Sequence, residues 1–276
     1  MGWGCADYLA RSASGRFGSV SVTLLALTIG LAAPLPFVLV EVAQRSLEVD
    51  WSGLAVWGLV TGAFLGVAYL IYYTGLQRGS VTVVSTAASA WLAVTVVIAV
   101  AAFGESLSLG QVGLMAVILV GILMLSAGRV TEMGVKSGLG WGLGAMLAIG
   151  VALGFIGQVT EAAGPMLAVL VVRGVSIVPT YAFVRLKKVE VRLPTDRWGW
   201  TLLGAVGLLD AGAYVAYNLG VDSAPVAVVA PIAAAHPVAT IALAVALSRE
   251  RPHALHWAGA FAAIGATIGL SVLVGT

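Results

Sequence analysis

The sequence predicts an all-α integral membrane protein. Ten transmembrane helices, the first of them short at its N-terminal end, are expected as two inverted five-helix repeats. Three observations carry this: an extreme composition, nine long apolar segments, and an internal duplication whose loops change charge. The 276 residues are 60% hydrophobic and only 9% charged, with a mean hydropathy of +1.04. A soluble domain is about 45–50% apolar and about 25% charged, so the chain belongs in a bilayer. The first residues include Asp7 and no basic run, so they do not read as a signal peptide. Nor does MGWGCA fit N-myristoylation, which needs Ser or Thr where Ala6 stands. The single cysteine, Cys5, excludes an internal disulfide or a cysteine-rich metal site.

A spanning helix needs about 20 mainly apolar residues. The segments 19–40, 53–76, 80–103, 109–127, 138–158, 165–184, 199–220, 224–247 and 255–274 meet that test. Residues 1–11 form a tenth, which at 1.5 Å per residue reaches only about half a membrane. The connections are short and leave no room for a soluble domain. The longest, RLKKVEVRLPTDRW (185–198), is a basic surface loop.

Residues 69–105 superimpose on 214–250 without gaps at an offset of 145, and 13 of the 37 positions are identical. Alanine and valine matches come cheaply in such a chain. Tyr69/Tyr214, Tyr72/Tyr217, Gly75/Gly220, Thr95/Thr240 and Glu105/Glu250 do not, so the duplication is real. WGCADYLAR (3–11) lies over LGFIGQVTE (153–161), the end of a helix that starts near Gly138. The first half thus lacks about a dozen residues that its partner has. Either the true start lies upstream, which is the stronger expectation, or helix 1 is natively short. The repeats are expected at 1–128 and 138–274.

An odd number of helices per repeat forces the two repeats into opposite orientations. Lys and Arg accumulate on cytoplasmic loops, and corresponding loops here have opposite character, as in FGESLSLGQ against SRERPHALH. Twelve of the 14 Lys and Arg residues lie in alternate loops on one side; Arg45 lies on the other, and Arg173 is inside a helix. This bias puts both termini outside the cytoplasm.

With these features the chain resembles the EamA-type, ten-helix members of the drug/metabolite transporter superfamily. The residues that carry the resemblance are Trp3-Gly4, Arg173, and Pro237 with Glu250 thirteen positions on, a spacing repeated by Leu92 and Glu105. Leu92 stands where proline is usual, Thr28 where the first repeat would hold an arginine, and His236 where an acid or small residue is common. The resemblance implies export or exchange of metabolites, amino acids or drugs through a cavity between the repeats. It also implies cytoplasmic termini, against the charge bias. The repeats point the same way independently, since secondary transporters bind substrate near the midplane where inverted repeats meet.

Ionisable groups inside membrane helices are costly and mark functional candidates. Asp7, Arg173, Asp210 and His236 are the four here. Asp210, Tyr214 and Tyr217 recur at i, i+4 and i+7 on one helix face, with Asn218 beside them. That polar-aromatic stripe suits a substrate cavity or a coupling site. The alternative is that Asp210 only pairs with Arg173 to lock the bundle. Histidine changes charge in the physiological range, so His236 is suited to coupling a proton to substrate movement. It would equally serve as a neutral, hydrogen-bonded histidine beside Pro237. Trp91, its repeat partner, is expected to face it across the cavity. Tyr8, Tyr69 and Gln158 complete the candidates; Asp7 would be merely solvated if helix 1 continues upstream.

Trp57, Trp198, Trp200 and Trp257 read as interfacial anchors. Glu105 and Glu250 read as structural, capping the next helix or binding a loop. Gly138, Gly142, Gly140, Gly144, Gly150 and Gly154, at four-residue spacings, would let a neighbouring helix approach closely. Pro225, Pro231 and Pro237 favour a bent helix 9. An intramembrane enzyme would need convergent catalytic groups, and no H-E-x-x-H or comparable set stands out. No G-x-x-x-x-G-K-[ST] loop is present, so ATP-driven pumping by this chain is excluded. The expected partners are a small-molecule substrate and the lipid bilayer of the plasma membrane, with the proton as a coupling-ion candidate. No nucleic acid, cofactor or metal is expected. A channel or a membrane scaffold is the remaining alternative.

Overall fold

The computed structural model describes all residues except 1, 45–48, 79–83, 85–86, 127–131, 237, 240–241, 244–245, 247–253 and 275–276. The described residues form helices and no strands: α1 (Gly2–Phe17), α2 (Ser19–Ala32), α3 (Leu35–Gln44), α4 (Trp51–Arg78), α5 (Trp91–Phe103), α6 (Leu109–Ser126), α7 (Glu132–Gly154), α8 (Ile156–Ala163), α9 (Pro165–Lys187), α10 (Arg197–Ser223), α11 (Val226–Ala234) and α12 (Ala254–Val274). Among the described residues five spans are long and apolar enough to cross a membrane by themselves: Ser19–Glu41, Trp51–Arg78, Gly138–Ala163, Pro165–Lys187 and Arg197–Ser223. Large apolar side chains such as Leu39, Val97, Leu147 and Phe261 are exposed on the outer faces. An apolar exterior of this extent belongs against lipid.

Several boundaries differ from the sequence-based segments, each for a local reason. Helix α1 continues past Arg11 to Phe17 and turns into α2 through Gly18 alone, at φ 82°. Gly164, at φ 76°, makes the corresponding one-residue turn between α8 and α9. Only glycine adopts such angles without strain. The segment 138–158 is interrupted at Phe155, which leaves α8 as a separate short helix.

The segments 80–103 and 224–247 each contain a break at the same repeat position. Ala90 has φ −71° and ψ 3°, and Ala235 has φ −72° and ψ 1°. Both breaks are spanned by i→i+3 bonds: Ala90 N–H to Ala87 O and Ala93 N–H to Ala90 O, then Ala235 N–H to Ile232 O and Val238 N–H to Ala235 O. Trp91 and His236 follow directly. The first repeat makes this break with Leu92 where proline was expected, so proline is not its cause. Pro237, Thr240, Glu250 and His253 lie outside the described residues.

Helices pack chiefly across the two halves. Helix α4 crosses α9 and α7, α10 crosses α2 and α1, α5 meets α7 and α11, and α6 lies against α12. Two repeat-equivalent glycines sit at the closest crossings. A Cβ at Gly62 would come 2.5 Å from Val175 Cβ and 2.8 Å from Val172 O; one at Gly207 would come 2.7 Å from Ala26 O. Of the glycines on α7, a Cβ at Gly142, Gly150 or Gly154 would strike α5 or the segment before it, whereas Gly140 faces open space. Thr95 Oγ1 donates to Gly150 O at 3.0 Å across that contact.

The bundle has two chemically different ends. At one, Glu41 accepts hydrogen bonds from Met166 N–H (3.1 Å) and Leu167 N–H (3.2 Å) at the start of α9. At the same end Glu105 accepts from Val226 N–H (3.0 Å) and Ala227 N–H (2.7 Å) at the start of α11. The capping role read for Glu105 is present, but the capped helix belongs to the other half rather than being the next in sequence. A carboxylate at a helix N-terminus satisfies free amides and the helix dipole together. Trp57 stacks on Phe155 and meets Phe103 edge-on there, half-buried against the core. Asp50 begins α4 nearby; its bonds from the Ser52 hydroxyl and the Gly53 amide hold its carboxyl below the usual carboxylate range. The opposite end carries Arg16, which pairs with Asp196 at 2.9 Å, together with Arg78, Lys187, Lys188 and Arg192. Trp198 and Trp200 are exposed at this basic end.

Candidate functional site

Long helices with an apolar interior leave few places for charge, and the structure collects it in one. The break before His236 ends α11 and turns the imidazole into the bundle, where α1, α4, α5, α7 and α10 converge. A cavity of ≈ 70 Å³ opens there, bounded by Trp3 and Asp7 of α1, Tyr69 and Tyr72 of α4, Ser89 just before the break at Ala90, Trp91 at the start of α5, Ile149 and Leu153 of α7, Asp210 and Tyr214 of α10, and His236. One water needs roughly 10–15 Å³ of such volume, so the space holds several waters or one small ligand. Both halves contribute to its wall.

Asp210 is buried, 5% exposed, and both its oxygens are engaged. Tyr69 Oη donates to Oδ1 at 2.7 Å and to Oδ2 at 2.9 Å, and Arg173 Nη2 donates to Oδ2. Arg173 is itself buried, lies behind Asp210 rather than on the cavity surface, and sits 5.6 Å from the centre of the Tyr214 ring. Its Nε and Nη1 meet no hydrogen-bond acceptor among the described residues. The guanidinium fits because Gly30 has no side chain: a Cβ there would come 2.5 Å from Nη1. The pair expected from sequence is therefore formed, and Asp210 still borders the cavity.

Asp7 and His236 make the second charged contact, with Nε2 3.3 Å from Oδ2 and side chains 12% and 20% exposed for His236 and Asp7. His236 Nδ1 lies 3.2 Å from Ala233 O. A carbonyl oxygen only accepts, so this contact is a hydrogen bond in the tautomer that carries its proton on Nδ1. Trp3 meets the imidazole edge-on at 6.1 Å.

Of the other candidates, Trp91, Tyr214 and Tyr69 border the cavity. Tyr217 lies just behind it, packed on Trp3 and Trp91 at 5.6 and 6.4 Å. Asn218 is structural in its contacts: Nδ2 donates to Tyr214 O, and Oδ1 accepts from Thr160 Oγ1, tying α10 to α8. Tyr8 and Gln158, which are repeat partners, both lie away from the cavity surface. Sequence reasoning had not singled out Trp3, Tyr72 or Ser89 as site residues. The signals were there: Trp3 precedes Asp7 by one helical turn, and Tyr72 is identical to its repeat partner. No group of three or more His, Cys, Asp or Glu side chains converges to hold a metal among the described residues.

Comparisons with known proteins place this geometry. A crystal structure of a protein 17% identical in sequence superposes with a TM-score of 0.74, over 99% of this chain and 96% of the other, which shows a shared fold. Comparison with curated protein sequences finds no significant match. The model of the EamA-like transporter family matches twice, over residues 1–127 and 136–272, one match to each half of the duplication. A multi-pass helical membrane protein, duplicated, with a cavity between its halves that Asp7, Asp210 and His236 border, is thereby identified: the chain belongs to the EamA-like transporter family.

Proposed function

We propose that this chain is a secondary transporter that exports or exchanges a small metabolite, such as an amino acid, a nucleobase or a small drug, across the plasma membrane. The two five-helix repeats, 1–128 and 138–274, lie inverted to one another and rock to expose the cavity to each side in turn. The observation that carries this reading is the cavity itself, walled by both halves and edged by Asp7, Asp210 and His236. Membrane-embedded ionisable groups that face such a space are substrate or ion sites by default. The carboxylates Glu41 and Glu105, which clasp helix starts of the other half, support a bundle closed at their end. Rocking would release them. Trp91, Tyr214 and Tyr69 would contact substrate, whereas Arg173 acts through Asp210. The proton is the coupling ion, carried beside Asp7 and His236.

Counterflow in proteoliposomes tests the reading. A panel of radiolabelled amino acids, nucleobases and amines is offered with and without a proton gradient. Saturable exchange of one class is expected, faster with the gradient. Flux that rises linearly with concentration would point to a channel instead, and silence across the panel would remove the transporter reading.

A further inference from the structure

Helices α4 and α9 touch where a Cβ on Gly66 would strike Ser176 O, and from there to the basic end they leave a groove between them. Val67, Leu70 and Ile71 line it from α4, and Pro179, Phe183 and Leu186 from α9. Spacings of i, i+3, i+4 and of i, i+4, i+7 put each set on one helix face. The groove measures ≈ 810 Å³, more than ten times the space of the central cavity, and lies within the roughly 300–1,000 Å³ of small-ligand sites. Val67, Phe183 and Leu186 are exposed, so it opens sideways to lipid. From Val67 to Arg78 it runs about 16 Å at 1.5 Å per residue, one leaflet's share of a hydrocarbon core about 30 Å thick.

The rim at the basic end is polar. Ser19 Oγ donates to Gln77 Oε1 at 2.8 Å, and Arg192 N–H donates to Ser21 Oγ at 2.9 Å, which ties the start of α2 to α4 and to the loop after α9. Arg78 and Arg192 line the same rim and are exposed; among the described residues neither pairs with a carboxylate. Glu190 lines it too. At the acidic end Glu41 places its carboxylate on the start of α9. Its repeat equivalent 145 positions on is Leu186, which shares this groove with the start of α2. The chain thus supplies an anion at one end and leaves the equivalent place at the other without one.

We propose that the groove is a binding site for one anionic phospholipid, its phosphodiester held by Arg78 and Arg192 and an acyl chain laid between α4 and α9. Two arginines against one glutamate leave one positive charge, which phosphatidylglycerol balances and a zwitterionic lipid does not. Lys187 and Lys188 next to the groove add to the attraction. The leaflet agrees: Lys and Arg gather on the cytoplasmic side, where anionic lipids lie and bind basic pockets between spanning helices. Helix α4 belongs to the first half and α9 to the second, so a lipid seated here bridges them.

Native mass spectrometry of the delipidated full chain, with thermal unfolding in mild detergent, tests this. The probes are dioleoyl phosphatidylglycerol, phosphatidylcholine and phosphatidylethanolamine, and inorganic phosphate. One phosphatidylglycerol per chain is expected to bind about tenfold more tightly than phosphatidylcholine and to raise the thermal midpoint. Arg78→Gln with Arg192→Gln should abolish that preference, and Leu70→Trp, which fills the groove, should weaken all three lipids alike. Lys187→Gln with Lys188→Gln, outside the lining, should keep it; circular dichroism checks the fold of each variant. Equal binding of phosphatidylglycerol and phosphatidylcholine would mean ordinary boundary lipid and overturn the proposal. So would a preference that survives the arginine changes, or one lost equally with the lysines, which marks diffuse surface charge. Displacement of phosphatidylglycerol by inorganic phosphate at equal concentration would show an anion site that takes no lipid. A preference for phosphatidylethanolamine would make Glu190 the headgroup partner and overturn it as well. None of these measurements involves transport, so failure here and failure of the transporter reading are told apart.

Discussion

At equivalent places in the two repeats, the second half holds the buried ion pair of Arg173 and Asp210 where the first, 145 positions earlier, holds Thr28 and Leu65. The other charged contact is lopsided too. Asp7 and His236 correspond to Gly157 and Trp91 at the repeat offsets of 150 and 145. Yet the backbone is shared in detail: the turns at Gly18 and Gly164, the breaks at Ala90 and Ala235, and the crossings at Gly62 and Gly207. Duplication has kept the frame and let the cavity wall diverge. A symmetric frame needs the same packing in both halves, whereas a substrate site needs polar groups only where the ligand touches them.

Removing one member of the Arg173–Asp210 pair is the strongest way to break this comparison. Asp210→Asn or Arg173→Ala leaves an uncompensated buried charge, which costs about 3–5 kcal/mol; the fall in thermal midpoint and the loss of counterflow would measure it. The double change Arg173→Thr with Asp210→Leu makes the second half resemble the first. It should recover most of the stability while transport stays lost. A double variant as unstable as the single ones would mean that the pair holds the bundle together.

The frame is tested next. Leucine at Gly62 or Gly207 must push two helix backbones apart, at about 1–3 kcal/mol for each site, and the two sites should respond alike in thermal unfolding. Gly140→Leu, facing open space, should change nothing. The clasps come third. Glu105→Ala frees the amides of Val226 and Ala227, and Glu41→Ala those of Met166 and Leu167. Each should cost about 0.5–2 kcal/mol, and hydrogen exchange should quicken at those amides. The smallest effect is expected from Thr95→Val, which removes one interhelical bond worth about 0.6 kcal/mol in a membrane, again read as a shift in thermal midpoint.

Much of this was legible in residues. The apolar segments and the tyrosine stripe of α10 follow from composition and period alone, and Arg173 and Asp210 stand out because charge is rare in such a chain. Asp7 was harder to judge. In sequence it lies near the end of a half-length helix, where solvation is the ordinary reading, and only the fold brings it to His236. Tyr8 was equally plausible beside it but lies one residue round the helix, away from the cavity. Glu41 carried almost no signal, because the amides it accepts from are 125 and 126 residues away in sequence.

The sequence by itself determined that the chain is a duplicated helical membrane protein and which rare polar side chains lie within it. Apolar length and repeat identity are local properties that need no partner. Only the tertiary structure decided which of those groups meet. Contacts between α1 and His236 just beyond α11, or between α4 and α10, depend on helix crossing and on rotation about each axis. These are set by steric fit at places such as Gly30, Gly62 and Gly207, where a missing side chain lets another half of the molecule in.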